Sequence, residues 1–191
     1  MTRSNAITVS RLGLAAAFAV LFLLPLRSQA AQAVIVPALW VVAILGELSD
    51  FFDGWTARRF GEVSDFGKVF DPFADVLFHL TAFACMAREG LLPIAFLLVV
   101  IAREQTISLV RLLAAKRGLI MGARPGGKAK TVSYVIVGGF VLARSSLARL
   151  GLLPWADEPL SIAVIVLCVG AAALSLASLA DYVNQYRKLG S

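Results

Sequence analysis

Six stretches of this chain, at roughly residues 9 to 26, 33 to 57, 66 to 87, 91 to 115, 130 to 151 and 159 to 184, are apolar over about the ~20 residues that an α-helix needs to cross a bilayer. Residues so hydrophobic, 59% of the chain with a mean hydropathy of +0.83, are too many for a soluble core of 191 residues to hide. The pattern predicts an all-α integral membrane protein of six transmembrane helices forming a single domain, residues 1–191, with no soluble domain and no long linker. The first run has a second reading as a secretory signal, because Arg3 and Arg11 precede it and Ala31-Gln32-Ala33 has the small residues of a cleavage site. Five spans would then remain and the charge bias would be harder to explain.

That bias is plain. The amino end, the 58 to 68 and 116 to 130 connections and the carboxyl end hold Arg3, Arg11, Arg58, Arg59, Lys68, Lys116, Arg117, Arg124, Lys128, Lys130, Arg187 and Lys188, against Arg27, Arg88, Arg144 and Arg149 on the other side. By the positive-inside rule both termini and the tip between the second and third helices face the cytoplasm. The net charge of +6 is accounted for by topology and anionic headgroups, so nucleic acid is not an expected partner. Cys85 and Cys168 lie inside proposed spans without metal-ligand spacing and read as packing residues.

Against this background four carboxylates stand out: Asp50, Asp53, Asp71 and Asp75. An unpaired carboxylate at membrane depth costs a few kcal/mol or more, so four together need compensation, and a divalent cation supplies it. A helix turns ~100° per residue, which puts Asp50, Asp53, Gly54 and Ala57 on one stripe and Gly67, Asp71 and Asp75 on another. If the two helices pack as a hairpin with these stripes facing, the carboxylates converge on a pocket in which Gly54, Ala57 and Gly67 leave room for a ligand. Hard oxygen ligands suit Mg²⁺, Mn²⁺ or Ca²⁺, and carboxylates that bind Mg²⁺ commonly share it with substrate phosphates. One or two ions bridging a diphosphate, with a spare carboxylate to take a proton from an attacking hydroxyl, make phosphoryl-type transfer the expected chemistry.

The run Asp50-x2-Asp53-Gly54-x2-Ala57-Arg58-x8-Gly67-x3-Asp71-x3-Asp75 resembles the signature of the CDP-alcohol phosphatidyltransferases position for position. The resemblance implies six transmembrane helices with a short surface helix at the amino end, a homodimer in the bacterial inner membrane, and an active site facing the cytoplasm. It implies transfer of a phosphatidyl group from CDP-diacylglycerol to an alcohol with release of CMP, dependent on one or two Mg²⁺ or Mn²⁺ ions. Carried over, Asp50, Asp53, Asp71 and Asp75 hold metal, Asp75 is also the general base, and Asp50, Gly54, Ala57, Arg58 and Gly67 shape the CDP site. Arg58 suits a charge-assisted contact to phosphate.

The segments Asn5-x-Ile7-Thr8-x2-Arg11, Val63 to Lys68, Asp71 to Asp75, Arg103-Glu104, Arg111, Gly127-Lys128-x-Lys130-Thr131 and Asp181-Tyr182 resemble the bacterial phosphatidylglycerophosphate synthases within that family. This resemblance implies glycerol 3-phosphate as acceptor, and a dianionic acceptor needs a basic subsite; Arg103, Arg111, Lys128 and Lys130 are the expected residues. The rival readings are membrane anchoring for the two lysines and an ion pair with Glu104 for Arg103. Phe73 and Val76 depart from the Leu and Lys common in these synthases, which leaves inositol phosphate open as acceptor.

His79 falls one turn after Asp75, where it tunes the base, touches the acceptor or is simply a hydrogen-bonded core residue. Glu47, one turn before Asp50, reads as an outer partner of the metal or as a helix contact. Trp40, Trp55 and Trp155 read as interface anchors. Outside enzymes, a divalent-cation transporter would also keep intramembrane carboxylates, though spread along a path, and a non-catalytic binder of nucleotide lipids would not need Asp75.

Overall fold

The structure, a computed structural model, describes the backbone of residues 3–25, 28–60, 65–117 and 125–190, and their side chains other than those of 3–9, 50–60, 65–71, 125–126 and 190. Among these residues there are six α-helices and no strand: α1 Arg3–Leu23, α2 Gln29–Phe60, α3 Asp65–Arg88, α4 Ile94–Lys116, α5 Pro125–Arg149 and α6 Asp157–Gly190, with a 3-10 turn at Pro154–Ala156 before α6. Each of the six expected apolar runs is helical over most of its length, with 24–25, 91–93 and 150–151 lying outside the helices. The short surface helix expected at the amino end is the beginning of α1, unbroken from Arg3.

Helix ends follow local chemistry. Gly90 at φ +71 and Pro93 separate α3 from α4, and Pro93 supplies the extended residue ahead of the first turn of α4. Pro125 opens α5, a position where its missing N–H costs nothing, so Lys128 and Lys130 fall inside the helix and not before it. Asp157 and Glu158 in the first turn of α6 and Arg187 and Lys188 in its last suit the helix dipole.

Three helices are long and apolar enough to cross a membrane among the described residues, over Gln29–Ser49, Gly127–Arg149 and Pro154–Leu189, and Ser10–Leu23 is a shorter apolar helix. The protein is an all-helical membrane protein. α4 is not among the three, since it carries Arg103, Glu104 and Arg111.

α1 packs against both α2 and α3, α6 against α4 and α5, and α3 reaches α4 and α5. Where these layers meet, Phe83 of α3, Phe96 of α4 and Tyr134 of α5 form an edge-to-face triangle with centroids 5.4 to 6.0 Å apart. Cys85 and Cys168 are unpaired and buried in the same core, as expected of packing residues. Of the small residues 170 to 173, Ala171 is buried in that core whereas Gly170 is exposed.

One end of the bundle is bolted by polar contacts. Trp40 Nε1 donates to Ser146 Oγ at 3.0 Å, Gln29 Nε2 to the Leu150 carbonyl at 2.8 Å, and Arg149 Nη2 to the Phe22 carbonyl at 2.8 Å with its guanidinium over the Phe22 ring. Trp40, expected at a membrane interface, is thus a half-buried link between α2 and α5, while Trp155 is 75% exposed beside Leu152 and Leu153. The Trp55 side chain lies outside the described residues.

Candidate active site

At the opposite end, every helix contributes a polar side chain. Asp75 of α3 is a half-buried carboxylate; four residues on, His79 Nδ1 sits 3.0 Å from the Asp75 carbonyl oxygen and 3.5 Å from its Oδ1. His79 Nε2 faces Glu47 Oε1 of α2 at 3.3 Å. Just before Glu47, Gly46 lets the ring of Phe78 lie directly on the α2 backbone; a Cβ there would overlap three ring atoms. This close approach brings α2 and α3 together at the residues flanking the acidic motif.

α1 supplies Arg11, the largest fully buried side chain of the described set at 1% exposure. Its Nε donates to Ser49 Oγ at 2.9 Å, and Ser49 Oγ donates in turn to the Gly46 carbonyl at 2.7 Å. Arg11 therefore stands against the residue next to Asp50, and both Arg11 and Lys130 act electrostatically on Asp75. Sequence reasoning counted Arg11 as a topological charge; its place in the segment Asn5-x-Ile7-Thr8-x2-Arg11 was the available signal.

The basic residues expected at an acceptor subsite divide into two groups. Arg103 and Lys130 come together on one buried carboxylate: Glu104 Oε1 accepts from Lys130 Nζ at 2.9 Å, and both Glu104 oxygens accept from Arg103 Nη1 at 3.0 Å. Arg103 Nη2 also donates to Ser178 Oγ of α6 at 3.2 Å. Among the described contacts two buried cations share this one carboxylate, and Arg103 Nε is buried without a hydrogen-bond partner. Both are features of a place that receives an anion. Tyr134 lies between this cluster and His79, with Lys130 Nζ 4.5 Å from its ring centroid, the His79 ring 6.2 Å away and tilted by 56°, and its hydroxyl 2.7 Å from Ser175 Oγ. The second group is outside this cluster. Arg111 is exposed, two turns along α4, with Nε 3.4 Å from Tyr182 Oη, and Lys128 is exposed.

Asp50, Asp53, Gly54, Ala57 and Arg58 lie on the last turns of α2, and Gly67 and Asp71 on the first turns of α3, but their side chains lie outside the described residues. Among the described residues no three possible ligands gather into a metal site. What is described fits a hard cation, since Asp75 offers carboxylate oxygen. The oxygen-only donor set of the four aspartates has the same character.

Residues 1–174 match the profile of the CDP-alcohol phosphatidyltransferase family. A Treponema pallidum protein named CDP-diacylglycerol--glycerol-3-phosphate 3-phosphatidyltransferase is 35% identical over 140 residues, covering 72% of this chain and 64% of that protein. A Bacillus subtilis protein of the same name is 32% identical over 166 residues, 84% of this chain and 86% of the relative. A probable phosphatidylglycerophosphate synthase of Mycobacterium tuberculosis is 32% identical over 145 residues, 75% of this chain and 63% of the relative. The chain thus spans somewhat under two thirds of two of these relatives and most of the third. With the profile running through both helices of the acidic motif and on past the Lys130 cluster, the chain belongs to the CDP-alcohol phosphatidyltransferase family.

Proposed function

We propose that this chain transfers the phosphatidyl group of CDP-diacylglycerol to glycerol 3-phosphate, giving phosphatidylglycerophosphate and CMP. The observation that carries the acceptor is the pair of buried cations, Arg103 and Lys130, gathered on the single carboxylate of Glu104, which suits a small phosphorylated alcohol and is superfluous for a neutral one. The names of the Treponema and Bacillus relatives support the same reading. The whole chain, residues 1–191, acts as one domain of six membrane-crossing helices, homodimeric in the bacterial inner membrane, with the Asp75 end facing the cytoplasm.

In this mechanism Asp50, Asp53, Asp71 and Asp75 hold Mg²⁺ or Mn²⁺, one or two ions, which when bound neutralises charge on the pyrophosphate. Arg58 contacts a phosphate, and Gly54, Ala57 and Gly67 leave space for the cytidine. Arg103 and Lys130, with Arg111 and Lys128 further out, draw in the acceptor phosphate. Asp75 takes the proton of the acceptor hydroxyl as its oxygen attacks the lipid-bearing phosphorus, and the bond from that phosphorus to CMP breaks.

Purified protein given CDP-diacylglycerol, Mg²⁺ or Mn²⁺ and, separately, glycerol 3-phosphate, inositol phosphate or glycerol tests this. CMP release is expected with glycerol 3-phosphate. Release with inositol phosphate instead would move the acceptor, and no release with any alcohol would overturn the transferase reading.

A further inference from the structure

Resting on the transfer reading above, we propose that His79, backed by Glu47, is a positioning residue that fixes the direction of the Asp75 carboxylate. His79 is the only histidine of the chain and is buried, and its contacts go to acids on both sides. The two atoms in front of Nδ1, the Asp75 carbonyl oxygen at 3.0 Å and Oδ1 at 3.5 Å, are both acceptors, so Nδ1 carries the hydrogen. Nε2 faces Glu47 Oε1 at 3.3 Å without the alignment of a hydrogen bond, an electrostatic contact across the α2 to α3 seam.

The ring has no freedom to leave this arrangement. Phe78, Phe83 and Tyr134 surround it with centroids 6.2 Å away, the first two edge-on. Beyond it lies a mostly apolar cavity of about 270 Å³ between α1, α2, α3 and α5, in which Glu47 and His79 are the ionisable acid and base. A phenyl ring would fill the same cage without the cost of burying two ring nitrogens and drawing a carboxylate toward them. What the imidazole adds over a phenyl ring is its hold on Asp75.

That hold has a chemical use. Oδ1 of Asp75 is turned toward His79, which leaves the other carboxylate oxygen for the acceptor hydroxyl. A carboxylate free to rotate would spend much of its time misaligned, and a displacement of about 1 Å costs on the order of 10²-fold in rate. Groups that orient a reacting or ligating side chain are typically worth about 10- to 100-fold.

The test compares wild type, His79→Phe, Glu47→Leu and the double variant. The expected result for His79→Phe is a kcat lowered about 10- to 100-fold, with KM for glycerol 3-phosphate and for CDP-diacylglycerol each within about twofold. Mn²⁺-dependent binding of CDP-diacylglycerol, measured without acceptor, stays within about twofold because all four carboxylates are kept. Glu47→Leu lowers kcat less, and the double variant is no slower than His79→Phe alone, since Glu47 acts through the ring. The proposal is overturned if kcat of His79→Phe matches wild type, if the two losses multiply, or if KM for the acceptor rises at unchanged kcat. Should His79→Phe not fold, His79→Gln, which keeps a donor, decides: turnover within about fivefold of wild type supports positioning, and a loss as large as that of Asp75→Asn overturns it. Absence of CMP release from wild type is a failure of the transfer reading and is seen before any variant is made.

Discussion

Asp75 can act as a ligand, as a base, or as both, and a single atom separates these roles. Asp75→Asn keeps the shape and one coordinating oxygen but cannot take a proton, so CMP release is expected to fall about 10²- to 10⁴-fold while metal-dependent CDP-diacylglycerol binding persists in part. Turnover like wild type would remove Asp75 from the base role. Arg103→Gln breaks the fork on Glu104 and the contact to Ser178. Initial-rate kinetics should then show KM for glycerol 3-phosphate rising about 10-fold or more, with KM for the lipid nearly constant; equal effects on both would make Arg103 a packing residue. Asp75 and Arg103 stood out in the sequence because a charge inside an apolar run contrasts with its neighbours, whereas Lys130 was picked out only as a basic residue opening the fifth helix. Arg11 and Glu104 were not legible in the same way. Arg11 looks like any other positive residue near a chain end, and its partner Ser49 is 38 positions away. The ion pair of Glu104 with Arg103 was foreseen as the rival reading of Arg103 and is present, while the simultaneous hold of Glu104 on Lys130, 26 positions on, exists only once α4 and α5 pack.

At the scale of elements, the meeting of α2 and α3 depends on Gly46, where the missing side chain admits the Phe78 ring. Gly46→Ala forces that ring to shift, at an overpacking cost of about 1 to 3 kcal/mol, and Phe78 is the edge-on neighbour of His79. A lower melting temperature in detergent is expected together with a lower kcat, and Phe78→Leu in the same chain should restore stability. Melting unchanged by Gly46→Ala would show that the approach tolerates a methyl group. The helices themselves were legible from apolar run length, and their ends less so. α5 begins at Pro125, ahead of the expected 130, because Lys128 and Lys130 interrupt the apolar count without interrupting the backbone. The contact of Trp40 was not legible for a related reason: an aromatic near the end of an apolar run looks the same in sequence with or without a partner such as Ser146.

For the whole molecule, the two ends of the bundle have separate tasks. Arg149→Ala removes the contacts to the Phe22 carbonyl and ring at the bolted end and should lower stability by about 1.5 to 3 kcal/mol, leaving both KM values unchanged. Thermal unfolding and initial rates on one preparation check this, and a shifted KM would mean that the ends communicate. That six helices each send a polar group to one end was not legible from the chain, because the pairings Arg11 with Ser49, Lys130 with Glu104 and Arg103 with Ser178 join distant segments. The length of α6 carries a consequence for depth. From Asp157 to Ser178 the helix rises about 31 Å at ~1.5 Å per residue, close to the ~30 Å thickness of the hydrocarbon layer. Were Asp157, ion-paired to Arg144, at one dielectric boundary, Ser178 and the guanidinium bonded to it would lie level with the other. In the proposed reaction the water-soluble reactant would then dock at the edge of the oil without entering it, while its lipid partner would arrive sideways within the leaflet.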